Sequence, residues 1–360
     1  MSIPRRVALV LVGIVAVAIP PASAAQKTKS SKKSAVKSVL SRSATNLTPS
    51  IPTRTRKPLY SAERSMARKT VVARARATSS AREIAETLVP RYKVDAAGDL
   101  VPDLRAAAAI VYDPDTQQVL WEEHSQDQRS IASITKVMTA LVFLESDPDL
   151  SEMITVTRPD VSHASTTHLR SNDRLEAGDL LHLLLISSDN AAARVLARVS
   201  PYGSTGFIQR MNEKAAELGL QSTRYADPSG LLSDNVSSAY DMARLIAYVS
   251  VNDRIGSIMR TQEYTAYTAR RPIAIHSTNH LLGRDDVEVR GGKTGFINSS
   301  GYCLATLLRL PESGQQVAVV VLGARSNAGR FLETQNLFNW FMSKAPAIFS
   351  TRTTLAAQEQ

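Results

Sequence analysis

Regular spacing of apolar residues sets in only near Leu104, and from there the chain reads as a succession of short elements. Ala106 to Tyr112 is an apolar run, Asp113-Pro114-Asp115-Thr116 is a turn signal, and Gln118 to Glu122 reads as the returning strand of a hairpin. Ile134 to Leu144 has the composition of a buried helix. Leu180 to Ile186 and Ala191 to Val199 read as two more, divided by a polar break. Met242, Leu245, Ile246 and Val249 follow the i, i+3, i+4, i+7 spacing of an amphipathic helix, with Ser237 or Ser238 as its cap. The period then changes. Val287 to Phe296, Gly301 to Leu310 and Gln316 to Leu322 read as strands, with Pro311-Glu312-Ser313-Gly314 as a turn between the last two. A final helix is expected from Asn327 to Met342. Strands at both ends with helices between them predict an α+β fold, one antiparallel sheet with helical layers.

The front of the chain is different. Arg5 and Arg6 precede 13 apolar residues, Val7 to Ile19, and Ala22-Ser23-Ala24 is a small-residue cleavage site. The run is shorter than the roughly 20 residues that span a bilayer. Residues 1–24 are therefore expected to be a signal peptide, and the protein to be exported to the periplasm or cell envelope. Residues 25–100 are expected to be a largely disordered basic tail, because they hold too few large apolar residues to offset chain entropy. From Ala25 to Lys93 there are 17 Lys or Arg against three Glu, whereas the residues from Val94 onward carry 24 basic and 30 acidic side chains. The overall charge of +10 thus belongs to the tail. Such a tail suits electrostatic contact with an anionic envelope, or a solvated spacer. Tyr60 is its one aromatic up to Ala81, which with export argues against nucleic acid. The single cysteine, Cys303, cannot form an internal disulfide and sits in a strand-like run as a core side chain. Residues 101–345 are expected to form the catalytic domain and 346–360 a C-terminal tail.

Three short motifs carry chemistry. In Ser133-Ile134-Thr135-Lys136, two residues three apart share one helix face. A serine hydroxyl is a weak nucleophile until a base takes its proton. A lysine becomes that base when burial disfavours its ammonium form, and the apolar residues Val137 to Val142 supply the burial. The same S-x-x-K pattern at Ser30 to Lys33 and Ser34 to Lys37 lies in the polar tail, where lysine stays solvated. From Val94 onward there are only four lysines, Lys136, Lys214, Lys293 and Lys344, against 20 arginines. Arginine cannot serve as a base, so the two lysines that fall within motifs stand out. Ser188-Asp189-Asn190 fills the polar break between two helices, where its hydroxyl can relay a proton and its amide can bind a carbonyl. Ser233-Asp234-Asn235 repeats it, and a turn or cap is the simpler account of either copy taken alone. Lys293-Thr294-Gly295, followed by Phe296, occurs once, on a predicted strand. There a lysine and a threonine hydroxyl can bind a carboxylate, and a glycine lets substrate backbone approach.

The three motifs stand in this order, their first residues 55 and 105 positions apart. The trio S-x-x-K, S-D-N and K-T-G marks class A β-lactamases and penicillin-binding proteins. Arg129-Ser130-Ile131-Ala132, Asp227-Pro228-Ser229-Gly230-Leu231 and Gly323-Ala324 extend the likeness. From about Ala106 to Met342 the chain resembles the low-molecular-mass penicillin-binding proteins, the D-alanyl-D-alanine carboxypeptidases and endopeptidases. Ser188-Asp189-Asn190-Ala191-Ala192-Ala193 and Ser277-Thr278-Asn279-His280-Leu281 resemble the endopeptidase branch. The resemblance implies a β-lactamase/transpeptidase-like fold, a five-stranded antiparallel sheet flanked by helices with a helical subdomain. It implies a serine D,D-peptidase acting on peptidoglycan peptides and trapped by β-lactams, with no cofactor and no metal. Ser133 would attack, Lys136 would take its proton, and Ser188 would relay a proton to the leaving amine. Asn190, Lys293, Thr294 and Gly295 would bind substrate, and the N–H groups of Ser133 and Phe296 would form the oxyanion hole.

Cross-link endopeptidase is the expected activity, with D,D-carboxypeptidase and a non-catalytic wall-binding protein as alternatives. No glutamate follows the S-D-N motif in the stretch where a class A β-lactamase needs one, so efficient β-lactamase activity is not expected. Six histidines are present without a G-x-S-x-G elbow, which argues against a Ser-His-Asp hydrolase. His276 and His280 are four apart but lack a carboxylate or cysteine cluster, which argues against a metal enzyme.

Overall fold

The computed structural model describes residues 78–79, 81–311 and 313–358, with side chains as far as Lys344. The expected signal peptide and the tail up to residue 77 lie outside the described residues. Order begins before Leu104. A helix over residues 81–88 (α1) precedes a hairpin of β1 (Tyr92–Val94) and β2 (Leu100–Pro102). This corrects the expected tail boundary at residue 100: local turn chemistry, with the Asp95 carboxylate accepting from the N–H groups of Ala97 and Asp99, closes the hairpin where large apolar residues are few.

A five-stranded antiparallel sheet organises the rest, in the order β11 (Glu288–Ile297), β12 (Gly301–Arg309), β13 (Gln316–Ala324), β3 (Ala108–Asp113), β4 (Gln118–Glu123). The chain thus starts the sheet, leaves it for the helices, and returns with three consecutive strands. Successive side chains of a strand point to opposite faces. Here both faces are covered, so the strands read as unbroken apolar runs. On β13, Ala318, Val320 and Leu322 enter one core while Val317, Val319 and Val321 enter the other. On β3, Ala108, Ile110 and Tyr112 alternate with Ala109 and Val111 in the same way.

One face packs on α7 (Ala239–Ser250) and the helical region beyond it. That region holds α2 (Thr135–Leu144), α4 (Ala177–Leu185), α5 (Asn190–Val199) and α6 (Gly203–Glu217). Shorter pieces join them: β5 (Arg129–Ser130) paired with β8 (Val236–Ser237), α3 (Arg158–Val161), and β6 (Met153–Thr155) paired with β7 (Arg174–Glu176). α8 (Asp253–Arg260) leads to the hairpin of β9 (Glu263–Tyr267) and β10 (Pro272–His276). Ser238, rather than Ser237, caps α7, accepting from the Asp241 N–H at 3.1 Å.

The opposite face packs on α9 (Asn327–Gln358) through Phe331, Leu337, Phe338 and Phe341. The helix continues past Met342, where the apolar spacing that predicts it runs out, and takes in much of the expected C-terminal tail. Inside the sheet-facing part, the Glu333 carboxylate accepts from the backbone N–H groups of Arg105 and Ala106, fixing the chain as it enters β3.

Candidate active site

The serine of the first motif sits where three segments converge. β5 pairs with β8, then Ala132 turns the chain with a left-handed φ of +46° into a 3₁₀ turn, Ala132–Ile134, that runs on into α2. Two glycines press on this turn from opposite sides. A Cβ on Gly230 would lie 2.0 Å from the Ala132 carbonyl oxygen, and one on Gly295 would lie 2.6 Å from the Ile131 carbonyl oxygen and 3.2 Å from the Ser133 nitrogen. Only residues without a side chain allow that approach. The Ser133 backbone is thereby held between the loop after Asp227 and the edge strand β11.

All of α2 except Leu144 is buried, and Lys136 on it is 0 % exposed. Its Nζ is 2.9 Å from Ser133 Oγ, 2.6 Å from Asn190 Oδ1 and 2.5 Å from the Ser229 carbonyl oxygen. Desolvation lowers its pKa from 10.5 to about 7, and Asp227 and Asp189 oppose that shift. A neutral amine has two hydrogens and one lone pair. Asn190 and Ser229 take the hydrogens, which leaves the lone pair for the Ser133 hydroxyl proton. The loop carrying Ser229 is itself fixed: Asp227 accepts from the N–H groups of Ser229 at 2.9 Å and Leu232 at 3.1 Å and from Asn235 Nδ2 at 2.5 Å. Asn235, of the repeated Ser-Asp-Asn, therefore serves this loop and does not line the cleft.

The second motif closes α4 and opens α5. Ser187 Oγ and the Asp189 N–H donate to the Leu183 carbonyl, each at 3.0 Å, and Ser188 takes a left-handed φ of +61°. Asp189 then caps α5, accepting from the Ala192 N–H at 3.0 Å, Thr167 Oγ1 at 2.9 Å and the His168 N–H at 2.6 Å. The cap and the site are one device. Capping by Asp189 sets the turn that places Ser188 and Asn190 on either side of it, and Asn190 Nδ2 donates to the Ala164 carbonyl at 2.8 Å.

The third motif lies on β11, at the edge of the sheet. Lys293, 1 % exposed, points its Nζ at Ser188 Oγ (2.8 Å) and the Thr294 carbonyl (2.9 Å), so it meets the cleft through Ser188. Burial holds its pKa well below 10.5, and the neighbouring Lys136 and Arg330 push it the same way. Thr294 Oγ1 is 2.7 Å from Thr278 Oγ1. Phe296 is 45 % exposed and stacks on Tyr302, ring centroids 4.2 Å apart.

Ser133, Ser188, Asn190, Thr294, Gly295 and Phe296 all line one cleft of about 550 Å³. Lys136 and Lys293 stand behind it, bonded to its two serines. The arrangement can activate a hydroxyl beside a peptide carbonyl and pass a proton to a leaving group. Thr278, which the sequence places in a family-like phrase without a role, and Arg330, which no motif names, also line the cleft. No group of three or more His, Cys, Asp or Glu able to hold a metal occurs among the described residues, and Cys303 is buried with its thiol pKa raised by desolvation.

Residues 95–326 match the family described as D-alanyl-D-alanine carboxypeptidase. A D-alanyl-D-alanine endopeptidase of Escherichia coli (strain K12) is 35% identical over 247 residues, covering 66% of this chain and 78% of that enzyme. A D-alanyl-D-alanine carboxypeptidase of Bacillus subtilis (strain 168) is 28% identical, covering 66% of this chain and 62% of that enzyme. The Streptomyces K15 DD-transpeptidase has a similar structure, with a TM-score of 0.63 at 26% identity, covering 67% of this chain and 98% of that one.

Proposed function

The chain belongs to the D-alanyl-D-alanine carboxypeptidase family of serine peptidases, and from that premise we propose that it cleaves peptidoglycan cross-links as an endopeptidase, with Ser133 as nucleophile. The enzyme is a serine D,D-peptidase of penicillin-binding fold. One observation carries the assignment of roles: the fully buried amine of Lys136, with its two hydrogens engaged elsewhere, lies 2.9 Å from Ser133 Oγ.

In this reading Ser133 Oγ attacks the carbonyl of a D-alanyl peptide bond as its proton passes to Lys136 Nζ. The Ser133 and Phe296 N–H groups stabilise the oxyanion; removing one such donor costs about 3–4 kcal/mol in comparable sites. Asn190 holds the peptide, Thr294 the carboxylate side, and Gly295 leaves room for substrate backbone. Ser188 hands a proton to the leaving amine, with Lys293 as the group behind it. Water then hydrolyses the acyl-enzyme.

The endopeptidase preference rests on the higher identity to endopeptidases (34–35%) than to carboxypeptidases (28–30%) among the relatives compared. Such a substrate lies outside the cytoplasm, as the predicted signal peptide requires. No helix among the described residues is long and apolar enough to cross a membrane. The basic segment from Ala25 to Lys93 is suited to anchor the enzyme to anionic envelope polymers, a contact that salt screens.

Fluorescent penicillin tests the nucleophile: label must appear on the native chain and vanish in Ser133→Ala. Equal labelling of the two ends the assignment. Incubation with cross-linked muropeptide dimers and with pentapeptide monomers tests the preference. Faster loss of dimers is expected, and exclusive trimming of monomers makes the enzyme a carboxypeptidase.

A further inference from the structure

A second cavity, of about 360 Å³, lies away from the Ser133 cleft. Phe296, which lines the cleft, pairs with Tyr302 at the start of β12, whereas Leu307, near the end of that strand, lines the cavity. The five positions between Tyr302 and Leu307, at about 3.3 Å each, put the two roughly 16 Å apart. The floor of the cavity is apolar: Tyr112, Leu220, Leu245 and Leu307 are all buried there. The rim is polar and comes from three places. Asp115 and Gln117 stand on the turn between β3 and β4, Arg244 and Tyr248 on one face of α7, and Gln316 at the start of β13. Among the described residues, Asp115 and Arg244 are the only charged ones lining it, and their charges are opposite. A polyanion or a lipid headgroup therefore gains little here.

Arg244 is already engaged. Its Nη1 donates to the Gly219 carbonyl at 2.8 Å and its Nη2 to the Leu218 carbonyl at 3.0 Å, which fixes one wall of the cavity. The side chains of Asp115, Gln117, Tyr248 and Gln316 make no hydrogen bond among the described residues. Gln117 is held at the rim against its backbone preference. Its φ is +58°, in the left-handed region that glycine enters freely. A glutamine there gives up stability for a side chain that bonds to nothing in the protein, and strain of that kind collects at ligand sites. Tyr248 is 51 % exposed and presents an aromatic ring beside the two carboxamides. An N-acetylated sugar matches this set. Its C–H face lies against an aromatic ring, and its hydroxyl and amide groups both donate and accept, as a glutamine side chain does. The volume falls within the range of small-ligand pockets, about 300–1,000 Å³. We propose that this cavity binds the N-acetylated glycan strand of peptidoglycan, gripping the polymer at a point remote from the scissile peptide. The identity of the polymer rests on the D,D-peptidase reading above. Two points of attachment on one polymer raise the effective concentration of its peptides at the Ser133 cleft.

The test uses the full chain and tetra-N-acetylchitotetraose, an uncharged N-acetylated glycan that carries no peptide. Ligand-observed NMR titration should show saturable binding by the native chain, and equal binding by the chain first acylated with penicillin. Tyr248→Ala and Gln117→Gly should each weaken that binding about tenfold or more. Thermal melting confirms that both variants fold. Gln117→Gly relaxes the left-handed backbone, so its melting temperature should hold or rise while its affinity falls, a split that a merely structural glutamine would not give. No saturable binding by the native chain overturns the proposal, as does full binding by either folded variant. Loss of binding on acylation places the glycan in the Ser133 cleft and also overturns it. Binding of free D-alanine in place of the glycan, weakened by the same two substitutions, makes the cavity an amino-acid site and the proposal wrong. If the native chain takes no penicillin on Ser133, the D,D-peptidase reading falls, whereas glycan binding lost in Tyr248→Ala still supports a sugar site. Penicillin labelling without glycan binding removes only this inference.

Discussion

If Lys136 is the base, acylation must follow its titration, and burial fixes where that occurs. An ordinary lysine at 10.5 would be neutral in roughly one molecule in three thousand at pH 7. With its pKa lowered to about 7, about half of the Lys136 amines are neutral there. The displacement corresponds to roughly 5 kcal/mol in favour of the neutral form. The group is fully buried, so no solvent screening reduces that figure, although Asp227 and Asp189 already act against it. The reactive form is the deprotonated one. The second-order rate of acylation by fluorescent penicillin should therefore rise about tenfold per pH unit below pH 7 and level off above about pH 8. At pH 5 it should stand about a hundredfold below the plateau. Stopped-flow labelling across pH 5 to 9.5, with thermal melting at each point, measures this. A rate that is flat from pH 5 to 9, or still climbing tenfold between pH 8 and 9, would refute the reasoning.

Four substitutions extend the argument. Gly230→Ala should cost about 3 kcal/mol or more and lose penicillin labelling, because its Cβ would lie 2.0 Å from the Ala132 oxygen at a φ of +78°. Gly98→Ala, at a φ of +90° with nothing within 4 Å, should cost only about 1 kcal/mol and label normally; calorimetry and gel labelling separate the two. Ser188→Ala should slow acylation about a hundredfold or more while melting within a few degrees of the native chain, since only Lys293 Nζ loses a partner. Asp189→Asn keeps one acceptor but loses the charge that three donors share, so denaturant unfolding should show a loss of about 2–3 kcal/mol, with slower labelling.

The geometry of the proposed site was legible where it is local. Ser133 and Lys136 are one helical turn apart, Lys293 to Phe296 are consecutive on one strand, and Asp189 announces itself as a cap. The central strands were legible because burial on both faces leaves no polar interruptions. Arg330 was hidden, and Thr278 stood in a family-like phrase without a role, because their meaning lies in contacts across 35 and 16 positions. The paired strands β6–β7 and β9–β10 have three and five residues each, too short to show alternation. In α6 the buried stripe is only Phe207, Met211 and Ala215, diluted by polar neighbours.

In the proposed mechanism, the left-handed residue at position 188 sets stability against activity within a single side chain. A non-glycine backbone in that region costs about 1–3 kcal/mol, and glycine or asparagine would relax it. Neither of those residues carries a hydroxyl. A search for thermal stability alone would discard Ser188 at once, so engineers hardening this protein must find their gains elsewhere and leave that tension in place.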